Sequence, residues 1–274
     1  MRIIFAGDIV GNVAAQAVAN WIKILKEENH ADFFIVNGEN AADGNGITIS
    51  QVKLLLNSGV DCITLGNHSW GHWGISKYID KEPRLLRPGN VPESWPGRSS
   101  VLLENNTFKL RVINVLGKVY MTSHVCPFAF IEQDIATQDA SIPTLVDFHA
   151  EASAEKEAMG RFLAGKVSAV LGTHTHVQTA DEKILDGYTG FITDVGMCGP
   201  TGGVIGMDQD QSLRRFVEQL PSSYKIAQGP IEIRAVYLEL GEEGQCETIK
   251  RIKLTELYPN EWQGLPPALI SIDR

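Results

Sequence analysis

Residues 3–8, IIFAGD, residues 33–40, FFIVNGEN, and residues 62–68, CITLGNH, repeat one pattern. Each is a short apolar run that stops at a glycine, with Asp, Glu, Asn or His directly after it. Apolar runs of this length suit strands buried on both faces. Helix-period stretches separate them. Over residues 13–28, Val18, Ile22 and Leu25 share a face, and residues 49–56 form a second helix with Thr48 or Ser50 as its cap. Such alternation predicts a parallel sheet covered by helices on both sides, an α/β fold.

Outward from this first third the pattern loosens. Residues 87–100 hold three prolines and two glycines and read as a loop. Strands are expected at 101–103, 109–114 and 119–121, in an arrangement compatible with antiparallel pairing. The strand at 145–148 runs into His149, a helix covers 154–163, and the strand at 167–171 ends in GTHTH (172–176). A strand at 190–193 leads into a glycine-rich loop, 196–206. Two last strands, near 231–240 and 247–254, have no helix between them and read as a hairpin. With no repeat and no linker, residues 1–254 are expected to form a single domain. Residues 255–274 are a C-terminal extension of unknown role.

Composition narrows the function classes. The chain has 274 residues, 43% hydrophobic and 21% charged, which excludes a disordered or fibrous protein. A net charge of −9 is wrong for gripping a long nucleic acid. A small phosphorylated substrate remains compatible, because bound metal reverses the local sign. Cys62, Cys126, Cys198 and Cys246 form no CxxC pair and read as reduced thiols. The apolar run before Asp8 is too short for a signal peptide or a membrane span. A cytoplasmic protein without membrane attachment is expected, and a homo-oligomer stays open.

Five predicted strand ends carry metal-binding side chains: Asp8; Glu39 and Asn40; Asn67 and His68; His149; His174 and His176. Singly, such residues are ordinary turn formers or hydrogen-bonding groups. Ligands of open α/β sheets bind beyond the carboxyl ends of parallel strands, so parallel pairing would place all eight on one rim. Four of the seven histidines fall at these ends, and His30, His72 and His124 are left as surface or supporting residues. Imidazole, carboxylate and amide oxygen without thiolate suit manganese, iron or zinc. The donors are too many for one tetrahedral zinc and fit a two-metal site better.

GD (7–8), GNH (66–68) and THTH (173–176) resemble the calcineurin-like metallophosphoesterases. GDIVG (7–11), NGENAADGNG (37–46), DFHAE (147–151), GTHTHVQTAD (172–181) and TDVGM (193–197) resemble the YmdB-like branch, over nearly the whole chain to about residue 254. The resemblance implies a metallophosphoesterase-type four-layer α/β sandwich with a di-metal site at the strand C-terminal ends. It implies that Asp8, Glu39, Asn40 and His176 bind one metal, and that Asn67, His149 and His174 bind the second, with Glu39 bridging. His68 would be the general acid, oriented by Asp8 or a backbone carbonyl. Asn40 stands where the wider superfamily has histidine, and its oxygen favours iron or manganese, with zinc or magnesium open. The implied activity is hydrolysis of 2′,3′- or 3′,5′-cyclic nucleotides, by in-line attack of a hydroxide shared between the ions. The alternatives are a phosphomonoesterase or protein phosphatase with the same site, and a non-catalytic metal-binding regulator.

Overall fold

The computed structural model describes residues 1–258 and 261–263. Its first elements are β1 (Arg2–Ala6), β2 (Asp8–Ile9), α1 (Asn12–Glu27), β3 (Phe33–Asn37), α2 (Ile49–Ser58), β4 (Cys62–Thr64) and β5 (Leu85–Leu86). A second group follows, with β6 (Ser100–Glu104), β7 (Lys109–Leu116), α3 (Pro127–Ala136), β8 (Thr144–His149), α4 (Ser153–Leu163), β9 (Ala169–Thr173), β10 (Lys183–Leu185) and β11 (Thr189–Ile192). The chain then returns to the first group with β12 (Met197–Pro200), α5 (Gln209–Phe216), β13 (Ile231–Leu240), β14 (Cys246–Tyr258) and β15 (Glu261–Gln263).

Two mixed sheets result. One has the order β15-β14-β13-β1-β3-β4-β5, with β12 joined to β13 and β2, and the other runs β10-β11-β9-β8-β7-β6. Neighbours in β1-β3-β4-β5 and in β7-β8-β9-β11 are parallel. Alternation along each strand explains the layering. Ile4, Ala6, Phe34 and Val36 pack with Val18, Trp21 and Ile22 of α1 and Val52 and Leu55 of α2. Their neighbours Ile3, Phe5, Phe33 and Ile35 turn the other way and meet Leu110, Val112, Leu145 and Leu171 of the second sheet. The outer face of that sheet, through Val146, Phe148 and Val170, is covered by Met159 and Leu163 of α4 and Ile131 of α3. The order is helix, sheet, sheet, helix, a four-layer α/β sandwich.

Local chemistry matches the helix ends. Thr48 caps α2 in a reciprocal capping box with Gln51, and Gly59 closes it in the left-handed conformation. The expected strand at 119–121 is instead a turn. Lys118 and Val119 donate their backbone N–H groups to the Glu155 carboxylate, which removes them from any ladder, and Tyr120 takes a φ of 59°. The short strands β5, β10 and β12 and the helices α3 and α5 were not expected. The glycine-rich loop carries β12, whose partners lie near residues 8 and 232. The boundary expected at residue 254 falls inside β14, and within the extension residues 259–260 and 264–274 lie outside the described residues.

Candidate metal centre

All eight predicted side chains come from the carboxyl ends of parallel strands in both sheets, and the structure brings them together. Asp8 follows β1, Glu39 and Asn40 follow β3, Asn67 and His68 follow β4, His149 ends β8, and His174 and His176 follow β9. Asp8, Glu39 and His149 are fully buried. His149 Nε2 lies 3.1 Å from Glu39 Oε1, 3.1 Å from His174 Nδ1 and 3.2 Å from Asn67 Oδ1. On the other flank, Asn40 Nδ2 is 3.0 Å from His176 Nε2. Gly66 has no substitute here, since a Cβ on it would lie 2.0 Å from Glu39 Oε2 and 2.4 Å from His149 Nε2.

Each candidate imidazole ligand is tied down through the nitrogen that faces away from its neighbours. His149 Nδ1 donates to Thr173 Oγ1 at 2.9 Å, because that hydroxyl spends its own proton on Asp147 Oδ1 at 2.7 Å. His174 Nε2 is 3.0 Å from the Glu151 carboxylate, and His176 Nδ1 donates to the Ile205 carbonyl at 2.9 Å. Such anchoring fixes the tautomer so that the remaining lone pairs converge. Asp8 Oδ1 and Glu39 Oε1 are buried without a hydrogen bond. Glu39 Oε1 does have the His149 and His68 nitrogens at 3.1 Å, but neither contact has hydrogen-bond geometry. Converging lone pairs beside orphaned carboxylate oxygens fit a cation. Among the described residues, Glu39, His149 and His174 hold ligand atoms within 4.8 Å of one another.

The charges fit as well. Burial raises the Asp8 pKa. Burial acts the same way on Glu39, but the adjoining His149 and His68 outweigh it and hold its carboxyl well below the usual carboxylate range. Against its own burial, His149 is lifted to about 9 by Glu39, Asp8 and Asp147. Burial, helped by the His149 charge, pushes His174 down to about 3. Without a cation, then, the carboxylates keep a proton on His149, and a metal ion would take that proton's place.

His68 is oriented differently from expectation. Its Nδ1 is held by Asn40 Oδ1 at 3.0 Å and lies beside Glu39 Oε1, and Asp8 takes no part. Asp8 Oδ2 instead accepts the His174 backbone N–H at 3.1 Å. That bond helps hold a strained segment, since His174 and His176 have φ of 103° and 68°. Asp194 holds the residue between them, accepting from Thr175 N at 3.0 Å and Thr175 Oγ1 at 2.7 Å. Its counter-ion is Lys156 of α4, buried and 2.6 Å away. Sequence reasoning assigned no role to Asp147, Glu151, Lys156, Thr173 and Asp194. Asp147 and Glu151 lie in DFHAE, Thr173 in THTH and Asp194 in TDVGM, whereas Lys156 lies outside these motifs.

Lys156→Met is expected to destabilise the fold by roughly 3–5 kcal/mol, because it leaves Asp194 buried and uncompensated. Urea unfolding followed by circular dichroism measures this, and unchanged stability would show that the pair is not needed. Of the histidines set aside, His30 pairs with Glu28 at the surface, His72 stacks on Trp73, and His124 packs edge-on to Trp95.

Comparison with known proteins points the same way. Residues 4–252 match the family model described as YmdB-like protein. A Bacillus subtilis (strain 168) protein named 2′,3′-cyclic-nucleotide 2′-phosphodiesterase is 40% identical over 262 residues, 95% of this chain and 98% of that protein. A crystal structure of a hypothetical protein from Thermus thermophilus superposes with a TM-score of 0.88 at 35% identity, covering 93% of this chain and 100% of that one. A Mycoplasma pneumoniae structure described as a novel phosphatase gives 0.87 at 32% identity, covering 94% and 95%. Among the described residues no helix is long and apolar enough to cross a membrane. Relatedness over nearly the full length, together with a metal-type cluster at the strand ends, makes this chain a phosphoric ester hydrolase, and it belongs to the YmdB-like family of calcineurin-like metallophosphoesterases.

Proposed function

We propose that the protein is a di-metal phosphodiesterase whose substrates are cyclic nucleotides, 2′,3′-cyclic esters first and 3′,5′-cyclic esters second. The observation that carries this reading is the convergence of three anchored imidazoles on two buried carboxylates with orphaned oxygens. The choice of a cyclic diester rests on the Bacillus relative's name. Asp8, Glu39, Asn40 and His176 would hold one ion, and Asn67, His149 and His174 the other, with Glu39 shared. Iron or manganese suits this set of nitrogen and oxygen donors best. Bound there, the ions supply positive charge against the phosphate and acidify water.

The chain's own residues do the rest. Glu39, Asn40, His68 and His174 line a cleft of ≈ 470 Å³ that can take the phosphate. His68 is half-exposed in that cleft, with Nδ1 held by Asn40, so Nε2 is the nitrogen left to face substrate. From there it would donate a proton to the ribose oxygen as the phosphorus–oxygen bond breaks. Asp194, through Thr175, keeps His174 and His176 in place during the reaction. Cys62, Cys198 and Cys246 are buried free thiols, in keeping with the cytoplasm as the site of action.

The runner-up is a phosphomonoesterase, favoured by the Mycoplasma structure's description as a phosphatase. Metal analysis of the purified protein, followed by assays on 2′,3′-cyclic AMP, 3′,5′-cyclic AMP and nitrophenyl phosphate, separates the two. Faster turnover of the cyclic diesters is expected. A clear preference for the monoester under the same metal conditions would replace the first reading with the second.

A further inference from the structure

A second cavity, ≈ 350 Å³ in volume, adjoins the metal cluster and shares Asn67 and His174 with it. Its walls bring together aromatic rings from three separate stretches of chain. Trp70 follows β4, Trp95 sits in the proline-rich loop, and Tyr120 and His124 lie beyond β7. Trp70 and Trp95 meet edge to face with centroids 5.7 Å apart, and Trp95 meets His124 likewise at 5.4 Å. None of these rings is fully buried, and Tyr120 is 91% exposed. A large side chain left in water, on backbone with positive φ, is held there by the Glu155 carboxylate's grip on Lys118 and Val119. Such strain persists only where surrounding structure imposes it.

Arg87 also lines this cavity, but it does not offer a charge for a phosphate. Its guanidinium donates to the carbonyls of Pro88, Trp95 and Pro96, at 2.9, 3.2 and 2.9 Å. Arg87 is therefore a clamp that fixes the Trp95 loop. Ser69, likewise, spends its hydroxyl proton on the Gly66 carbonyl. With Arg87 and Ser69 spent in this way, the cavity presents mainly the π-faces and edges of its rings. Surfaces of that kind stack on any nucleobase with little discrimination.

We propose that this cavity is the base subsite of the enzyme: with the phosphate at the metal cluster, the ribose passes Asn67 and His174 and the base stacks among Trp70, Trp95 and Tyr120. This rests on the reading of the substrate as a cyclic nucleotide. The subsite is base-tolerant, so adenine, guanine, cytosine and uracil esters are used with similar efficiency. The competing location is the far side of the cleft, where Tyr224 lines the wall.

The test compares 2′,3′-cyclic AMP with ribose 2,3-cyclic phosphate, which lacks the base. In Trp95→Ala and Tyr120→Ala the ratio of kcat/KM between the two esters is expected to fall about tenfold, as loss of a base stack should cost. Tyr224→Ala should keep the ratio. An unchanged ratio in both cavity variants, or a fall only in Tyr224→Ala, overturns the subsite. Tyr120→Ala covers the case in which Trp95→Ala misfolds, because Tyr120 is exposed. If the wild-type protein turns over neither ester, the cyclic-nucleotide reading fails by itself, and the subsite is then judged by binding. Titration with adenosine 2′-monophosphate should quench tryptophan emission, with Kd about tenfold weaker in Tyr120→Ala. Absence of quenching in the wild type, or an unchanged Kd in the variant, would reject it.

Discussion

Glu39→Gln is expected to empty the site of metal and to lower turnover by at least about 10³-fold, the upper end of what removing one electrostatic stabiliser costs. The substitution keeps the volume of a fully buried side chain and removes only its charge. Glu39 is the carboxylate between the two flanks, with His149 Nε2 and His68 Nδ1 each 3.1 Å from its Oε1. In the native protein its negative charge draws a cation into a site otherwise crowded with imidazoles. A neutral amide leaves Asp8 as the remaining buried acid in the cluster, and burial raises the Asp8 pKa. Metal content by mass spectrometry and activity on 2′,3′-cyclic AMP are the measurements. Full metal occupancy with near-native turnover would remove Glu39 from the proposed bridging role. Loss of a single ion would reassign it to one flank.

His68→Ala is the second large effect, about 10²–10⁴-fold on a cyclic nucleotide. A general acid matters in proportion to how poor the leaving group is, and a ribose alkoxide is poor. Nitrophenolate departs without a proton, so activity on bis-nitrophenyl phosphate should fall far less. The variant should also keep its metal, since His68 faces the cluster only through the Asn40 amide and the edge of Glu39. Equal losses on both substrates with metal retained would make His68 a phosphate clamp. Loss of metal would place it in the coordination shell.

Much of the architecture was readable because it depends on neighbours in the chain. The apolar runs at residues 3–6 and 33–36 had to be strands buried on both faces, and they are. The helix expected over 13–28 is α1, and Thr48 caps α2 as its hydroxyl chemistry predicts. The missed elements share a different property. Strand β12 lies in a glycine-rich stretch and exists through pairing with residues 8–9 and 231–232. The stretch at 119–121 looked apolar enough for a strand, yet a carboxylate 36 residues away captured its backbone. Neither outcome has a local signal.

The same division holds at the candidate site. Sequence by itself determined which side chains stand at strand ends, because an apolar run must stop where its strand leaves the core, and the residue after the glycine is then free to face a ligand. Tertiary structure alone decided that two sheets would bring their rims together and which nitrogen of each histidine points inward. His149 is set by Thr173 and Asp147, His174 by Glu151, His176 by the Ile205 carbonyl, and His68 by Asn40 in place of Asp8. An imidazole has two chemically similar nitrogens. Which of them keeps a free lone pair depends on what the other one meets across the fold, and for His149, His68 and His176 those partners lie 24 to 29 residues away along the chain.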